Sequence, residues 1–146
     1  MYKRILVPLD GSELAKKALD YAEKLAETFD SEIILFQIVP YMHIYGAMEF
    51  TEPFFFNGKK QKEAAERYLT NLSEELKKRG FKVTAEVKTG QQVAVEIVDF
   101  AKESGVDLIV MCTHGHSGIT LWALGSVAYK VLTRAETPIL LIHLKR

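Results

Sequence analysis

Five short apolar runs, separated by longer amphipathic segments, constrain this chain more than any other feature. The runs are RILVPL (4–9), EIILFQIV (32–39), KVTAEVK (82–88), DLIVMC (107–112) and PILLIHL (138–144). Between them the apolar residues recur at helical spacing. Leu14, Ala18, Ala22, Leu25 and Phe29 share one face over 12–29, with Ala15, Leu19 and Ala26 beside them. Ala65, Tyr68, Leu69, Leu72 and Leu76 do so over 59–79, and Val93, Ala94, Ile97, Val98 and Ala101 over 91–103. Val127, Val131 and Leu132 mark a last helix over 126–135, while Gly80 and Gly105 stand where helices end. Strands alternating with helices predict an α/β fold, a single doubly wound five-stranded parallel sheet with helices on both faces, Rossmann-like.

The runs also suggest an order. Four are apolar at consecutive positions, as strands covered on both faces are. The run 82–88 alternates instead, with Val83, Ala85 and Val87 against Lys82, Thr84, Glu86 and Lys88. That pattern belongs to an edge strand with one solvated face. The order 3-2-1-4-5 satisfies it and leaves 138–144 at the opposite edge. Because ILLI is apolar on both faces, this edge is expected to be covered by the same strand, Pro138–Leu144, of a second subunit. The segment PYMHIYGAMEFTEPFFFNG (40–58) reads as an aromatic loop insertion. It either tucks over the core or serves as a lid or subunit contact.

A chain of 146 residues suits one domain, 1–146, with a core that needs no staples. Lys plus Arg equals Asp plus Glu, which argues against a nucleic-acid surface or a polybasic membrane patch. One cysteine, Cys112, suits a reducing compartment. The first residues do not read as a signal peptide, and no run has membrane-spanning length, so a cytoplasmic protein is expected.

In a 3-2-1-4-5 sheet the ligand crevice opens at the carboxyl ends of strands 1 and 4. Two unusual loops fall there. One is Pro8-Leu9-Asp10-Gly11-Ser12, and the other is MCTHGHSGITLWALGS, residues 111–126. Asp10 either caps the first helix together with Ser12 or accepts hydrogen bonds from a ribose or base. Gly115 and Gly118 permit close approach of backbone to a ligand. Gly125-Ser126 opens a helix whose free N–H groups suit phosphate, with Ser126 as cap and donor. The bland alternative is a glycine-containing connection with an ordinary cap. No P-loop pattern and no G-x-G-x-x-G is present, and 113–126 holds no Lys or Arg. Binding therefore fits better than fast phosphoryl transfer, with a slow ATPase at most. His114 and His116, two apart, with His43 and His143 elsewhere, do not have metal-ligand spacing, so no metal is expected on protein side chains. Cys112 reads as a small buried residue and Trp122 as a packing anchor.

Taken together, ILVPLDGSELAKKAL and DLIVMCTHGHSGITLWALGSVAYKVLTRAETPILLI resemble the universal stress protein family, nearly throughout the chain. That family has this fold and commonly dimerises through its last strand. Its ATP-binding branch carries G-x-x-G, nine residues, then G-S or G-T. Gly115 and Gly125-Ser126 match the second half, while Cys112 stands where the first glycine would be. The resemblance implies that Asp10 contacts ribose or adenine and that Pro8, Leu9 and Ile38 line the base pocket. It implies that Met111, Cys112, Thr113, His114 and Gly115 follow the ribose and α-phosphate, and that His116, Gly125, Ser126 and Val127 hold the phosphates. The ligand so implied is ATP, with AMP or ADP as alternatives, and with Mg²⁺ carried by the nucleotide. The protein so implied is a nucleotide-responsive homodimer read by a protein partner. The alternative is a nucleotide-independent interaction module of the same fold, its binding weakened by Cys112.

Overall fold

The computed structural model describes residues 1–40, 56–114 and 124–144, with Phe56 and Asn57 as backbone only. Most of the aromatic segment, and Gly115, His116, Gly118 and Trp122, lie outside the described residues. The elements run β1 (Arg4–Leu9), α1 (Glu13–Lys16), α2 (Ala18–Phe29), β2 (Glu32–Pro40), α3 (Phe56–Lys78) and β3 (Lys82–Gly90). Then follow α4 (Val93–Glu103), β4 (Leu108–Cys112), α5 (Ser126–Arg134) and β5 (Ile139–Ile142). The five strands form one parallel sheet in the order β3-β2-β1-β4-β5, the order expected from the apolar runs.

Successive side chains on a strand point to opposite faces, and the central strands bury both. Ile5, Val7, Leu9, Ile33 and Leu35 join Leu19 and Ala22 of α2 and Leu69, Leu72 and Leu76 of α3 in one cluster. Leu6, Ile34, Phe36, Ile109 and Met111 join Ile97 and Phe100 of α4 and Val131 of α5 in the other. Phe36 and Phe100 stack with centroids 4.2 Å apart across the second face. Register at the amino end of the sheet is fixed by charge. The Asp107 carboxylate accepts from the backbone N–H groups of Lys3 (2.7 Å) and Arg4 (3.0 Å). The Arg4 side chain reaches Glu32 at 3.0 Å and the Ser104 carbonyl.

Three local features depart from the sequence reading. The helix over 12–29 is broken at Lys17, whose N–H turns to Leu14 O (3.1 Å) and separates α1 from α2. At the ends of the 40–58 segment, Pro40 belongs to β2 and α3 runs from Phe56. On β3 Val83 is buried, yet Ala85 on the same face is exposed. Gly80 (φ +93°) and Gly105 (φ +62°) do end α3 and α4 in the left-handed region. There the N–H of the residue after each glycine reaches back to Leu76 O and Ala101 O.

Candidate functional site

A cavity of about 270 Å³ opens where β1 and β4 end, as the switch in strand order requires. The end of β1 supplies Pro8, Leu9 and Asp10. The end of β4 and the residues after it supply Met111, Cys112, Thr113 and His114. Gly125, Ser126 and Val127 close the wall from the start of α5. Ten of the thirteen residues singled out in the sequence therefore meet around one concavity. Ile38 is not among them; it is 8% exposed and belongs to the core between the sheet and α4. Gly115 and His116 lie outside the described residues.

Four further residues line the cavity: Ala15, Val93, Ile97 and Ala128. Val93 and Ile97 stand one turn apart at the start of α4, and their helical stripe had marked them as core. The strand order carries the missing signal, since α4 begins at the carboxyl end of the sheet and its first turn must face the crevice.

Asp10 holds the turn after β1. Its Oδ1 accepts from Ser12 N–H at 2.9 Å, and Ser12 Oγ accepts from Ala15 N–H at 3.1 Å, which caps α1. Cys112 lines the cavity and belongs to the α2–α3 core cluster, with Sγ donating to Leu14 O at 3.1 Å. Burial pushes its thiol up to about 11, and the carboxylates of Asp10 and Asp20 push the same way. It is thus a protonated donor at neutral pH, not a nucleophile.

The start of α5 is built around Gly125. Its φ of −59° is ordinary, so conformational freedom is not why glycine stands here. A Cβ at this position would lie 2.7 Å from the Thr113 carbonyl oxygen. The Gly125 N–H donates to that same oxygen at 2.8 Å, while the Thr113 N–H donates to Ile142 O at 3.0 Å. One residue, Thr113, therefore joins the end of β4, the edge strand β5 and the start of α5. Gly125 is the N-cap and Ser126 the first helical residue, so Ser126 does not cap the helix as the sequence reading held. Among the described residues no acceptor meets the N–H groups of Ser126, Val127 or Ala128. Helix starts of this kind favour anions through free donors and the positive end of the dipole. His114 Nδ1 lies 3.1 Å from Thr113 Oγ1, and His114 Nε2 is buried without a hydrogen-bond partner among the described residues. Among the described residues no group of His, Cys, Asp or Glu could hold a metal ion, and no helix is long and apolar enough to cross a membrane.

Residues 1–143 match the universal stress protein family. The chain belongs to that family. It is 32% identical to the universal stress protein MJ0531 of Methanocaldococcus jannaschii, over 97% of this chain and 82% of the relative. It is 31% identical to MJ0577 of the same organism, over 99% and 97%. The solved MJ0577 structure superposes with a TM-score of 0.83 at 33% identity, covering 100% of this chain and 99% of that one. Two more distant family structures share the fold and carry nucleotides. One, from Arabidopsis thaliana, has AMP bound (TM-score 0.70, 20% identity, 98% of this chain and 92% of that one). The other is in complex with cAMP (TM-score 0.72, 23% identity, 99% of each).

Proposed function

We propose that this universal stress protein binds an adenine nucleotide in the β1/β4 crevice, with ATP and its Mg²⁺ as the ligand, and acts as a nucleotide-responsive dimer. The observation that carries this reading is the start of α5, where, among the described residues, no acceptor meets three N–H groups that stand beside a largely apolar cavity. An apolar chamber with a few convergent donors suits a flat base joined to an anion. Pro8, Val93, Ile97 and Met111 offer the surface for the base. Asp10 stands at the ribose position, and Ser126 and Val127 at the phosphates. Relatives of the same fold with AMP and cAMP bound support the same ligand class.

The mechanism in this reading is tethering. The nucleotide bridges the end of β1 and the start of α5, and so orders the surface around 113–126 that a partner reads. Calorimetric titration of nucleotide-stripped protein with ATP, AMP and cAMP tests the binding step. Micromolar ATP binding supports the reading; no heat and no thermal shift with any of the three would end it.

A second reading, a nucleotide-independent interaction module, draws on Cys112 standing where the ATP-binding pattern has glycine. The two readings separate at Cys112→Gly. The sulfur donates to Leu14 O and packs within the α2–α3 core cluster, so the nucleotide reading expects the ATP dissociation constant to stay within about twofold. A large gain in affinity would instead favour the module.

A further inference from the structure

The break at Lys17 has no cause in its own stretch of chain. Residues 12–29 contain neither Pro nor Gly and no π turn, and Lys17 keeps helical angles (φ −60°, ψ −22°). A helix interrupted without these is interrupted by a group inserted into its hydrogen-bond ladder. In an unbroken helix the Leu14 carbonyl accepts from the Ala18 N–H. That bond is absent among the described residues: α1 ends at Lys16 and α2 begins at Ala18.

Leu14 O instead receives two other donors. One is the Lys17 N–H at 3.1 Å, and the other is the Cys112 thiol, also at 3.1 Å, from the end of β4. The Ala18 N–H turns to the same sulfur. Burial raises the Cys112 thiol above its ordinary value, and donation from the Ala18 N–H works against it. A thiol is both a weak donor and a weak acceptor, so it can stand between a carbonyl and an N–H that would otherwise pair. The two elements it joins are two walls of the site: Ala15 lines the cavity from α1, and Cys112 lines it from β4. A glycine at 112 has no atom to place in the ladder.

We infer that Cys112 is a positioning residue: its thiol occupies the ladder between Leu14 and Ala18, holds open the break between α1 and α2, and so ties the α1 wall of the cavity to the β4 wall. The contact is internal to the protein, so the inference does not depend on what the cavity binds.

The test is the trans-hydrogen-bond coupling between an amide ¹⁵N and the carbonyl ¹³C that accepts its proton. It is measured on the full chain without nucleotide at pH about 7, where an ordinary thiol is protonated. The parent should show no coupling from Ala18 to Leu14. Cys112→Ala and Cys112→Gly each remove the sulfur, and each should show it. Cys112→Ser keeps a hydroxyl that donates and accepts, and should match the parent. The coupling from Ala26 to Ala22, within α2, should be present in every folded variant and serves as the control. Should one truncation fail to fold, the other decides. The Ala15 methyl signal should move in the Ala and Gly variants and return in Ser. This is a shift of one methyl on the wall, in keeping with an ATP dissociation constant within about twofold for Cys112→Gly. A coupling from Ala18 to Leu14 in the parent overturns the inference, since the ladder is then closed beside the thiol. So does its absence from a folded Cys112→Ala or Cys112→Gly, which would place the cause of the break in the helix itself. Its presence in Cys112→Ser overturns the inference too, because the hydrogen-bonding group then does not hold the break.

Discussion

Gly125 illustrates how a residue's reason can differ from its type. Its backbone angles are open to any amino acid, and the constraint is the Thr113 carbonyl, 2.7 Å from where a Cβ would sit. Gly125→Ala must push α5 away from β4, and overpacking of this kind costs about 1–3 kcal/mol. We expect a lower unfolding midpoint in denaturant and weaker ATP binding, with calorimetry and melts run on the same preparation. Cys112 gives a pH signature. Its folded-state thiol is raised from 9.0 to about 11, so the unfolded chain releases this proton first as pH rises. Stability that is complete below about 9 is therefore lost between about 9 and about 11. Chemical denaturation across that window should fall more steeply for the parent than for Cys112→Ala, whose other titrating groups are shared. At this scale the sequence was readable where a residue's role is local. Asp10 and Ser12 form the expected turn and cap, and Cys112 is buried at a strand end. It was less readable where the role is steric and distant. Neither Gly125 against Thr113 nor Val93 and Ile97 against the cavity leaves a local trace, because each depends on how two separate elements meet.

Among the elements, α5 and the edge strands matter most for function. If the N–H groups at the start of α5 receive phosphate, ATP should slow amide exchange at Ser126, Val127 and Ala128 and leave β2 unchanged. Uniform slowing across the chain would indicate general stabilisation instead of a local contact. The sheet order was legible because burial writes itself into strands: consecutive apolar residues inside, alternation at β3. The break at Lys17 was not legible, since Leu14, Ala18 and Ala22 continue one apolar stripe across it. Only the turn of the Lys17 N–H to Leu14 O separates α1 from α2. The opening of α3 at Phe56 was missed for a similar reason, because an aromatic run reads as insertion whether or not its end is helical.

For the whole molecule, the outstanding question is what covers β5. Ile139, Leu140 and Leu141 are half-buried in the single chain, and an apolar edge of this kind invites pairing. Equal numbers of acidic and basic residues leave little net repulsion between copies. A dimer through β5 predicts twice the chain mass by light scattering. Leu141→Arg should give the monomer mass, with circular dichroism confirming that the variant is folded. A parent that runs as a monomer at high micromolar concentration would remove the dimer from the proposal. Thr113 then gains a wider meaning. Its N–H is committed to Ile142 of the edge strand, and its carbonyl to Gly125 at the mouth of the cavity. The two bonds belong to adjacent peptide planes that meet at the Thr113 Cα, so fixing one plane against its neighbour narrows the freedom of the other. Strand pairing and ligand occupancy would thus be reciprocal, each tightening or loosening the other by the same factor. Dilution would then weaken ligand affinity as surely as removing ligand weakens assembly.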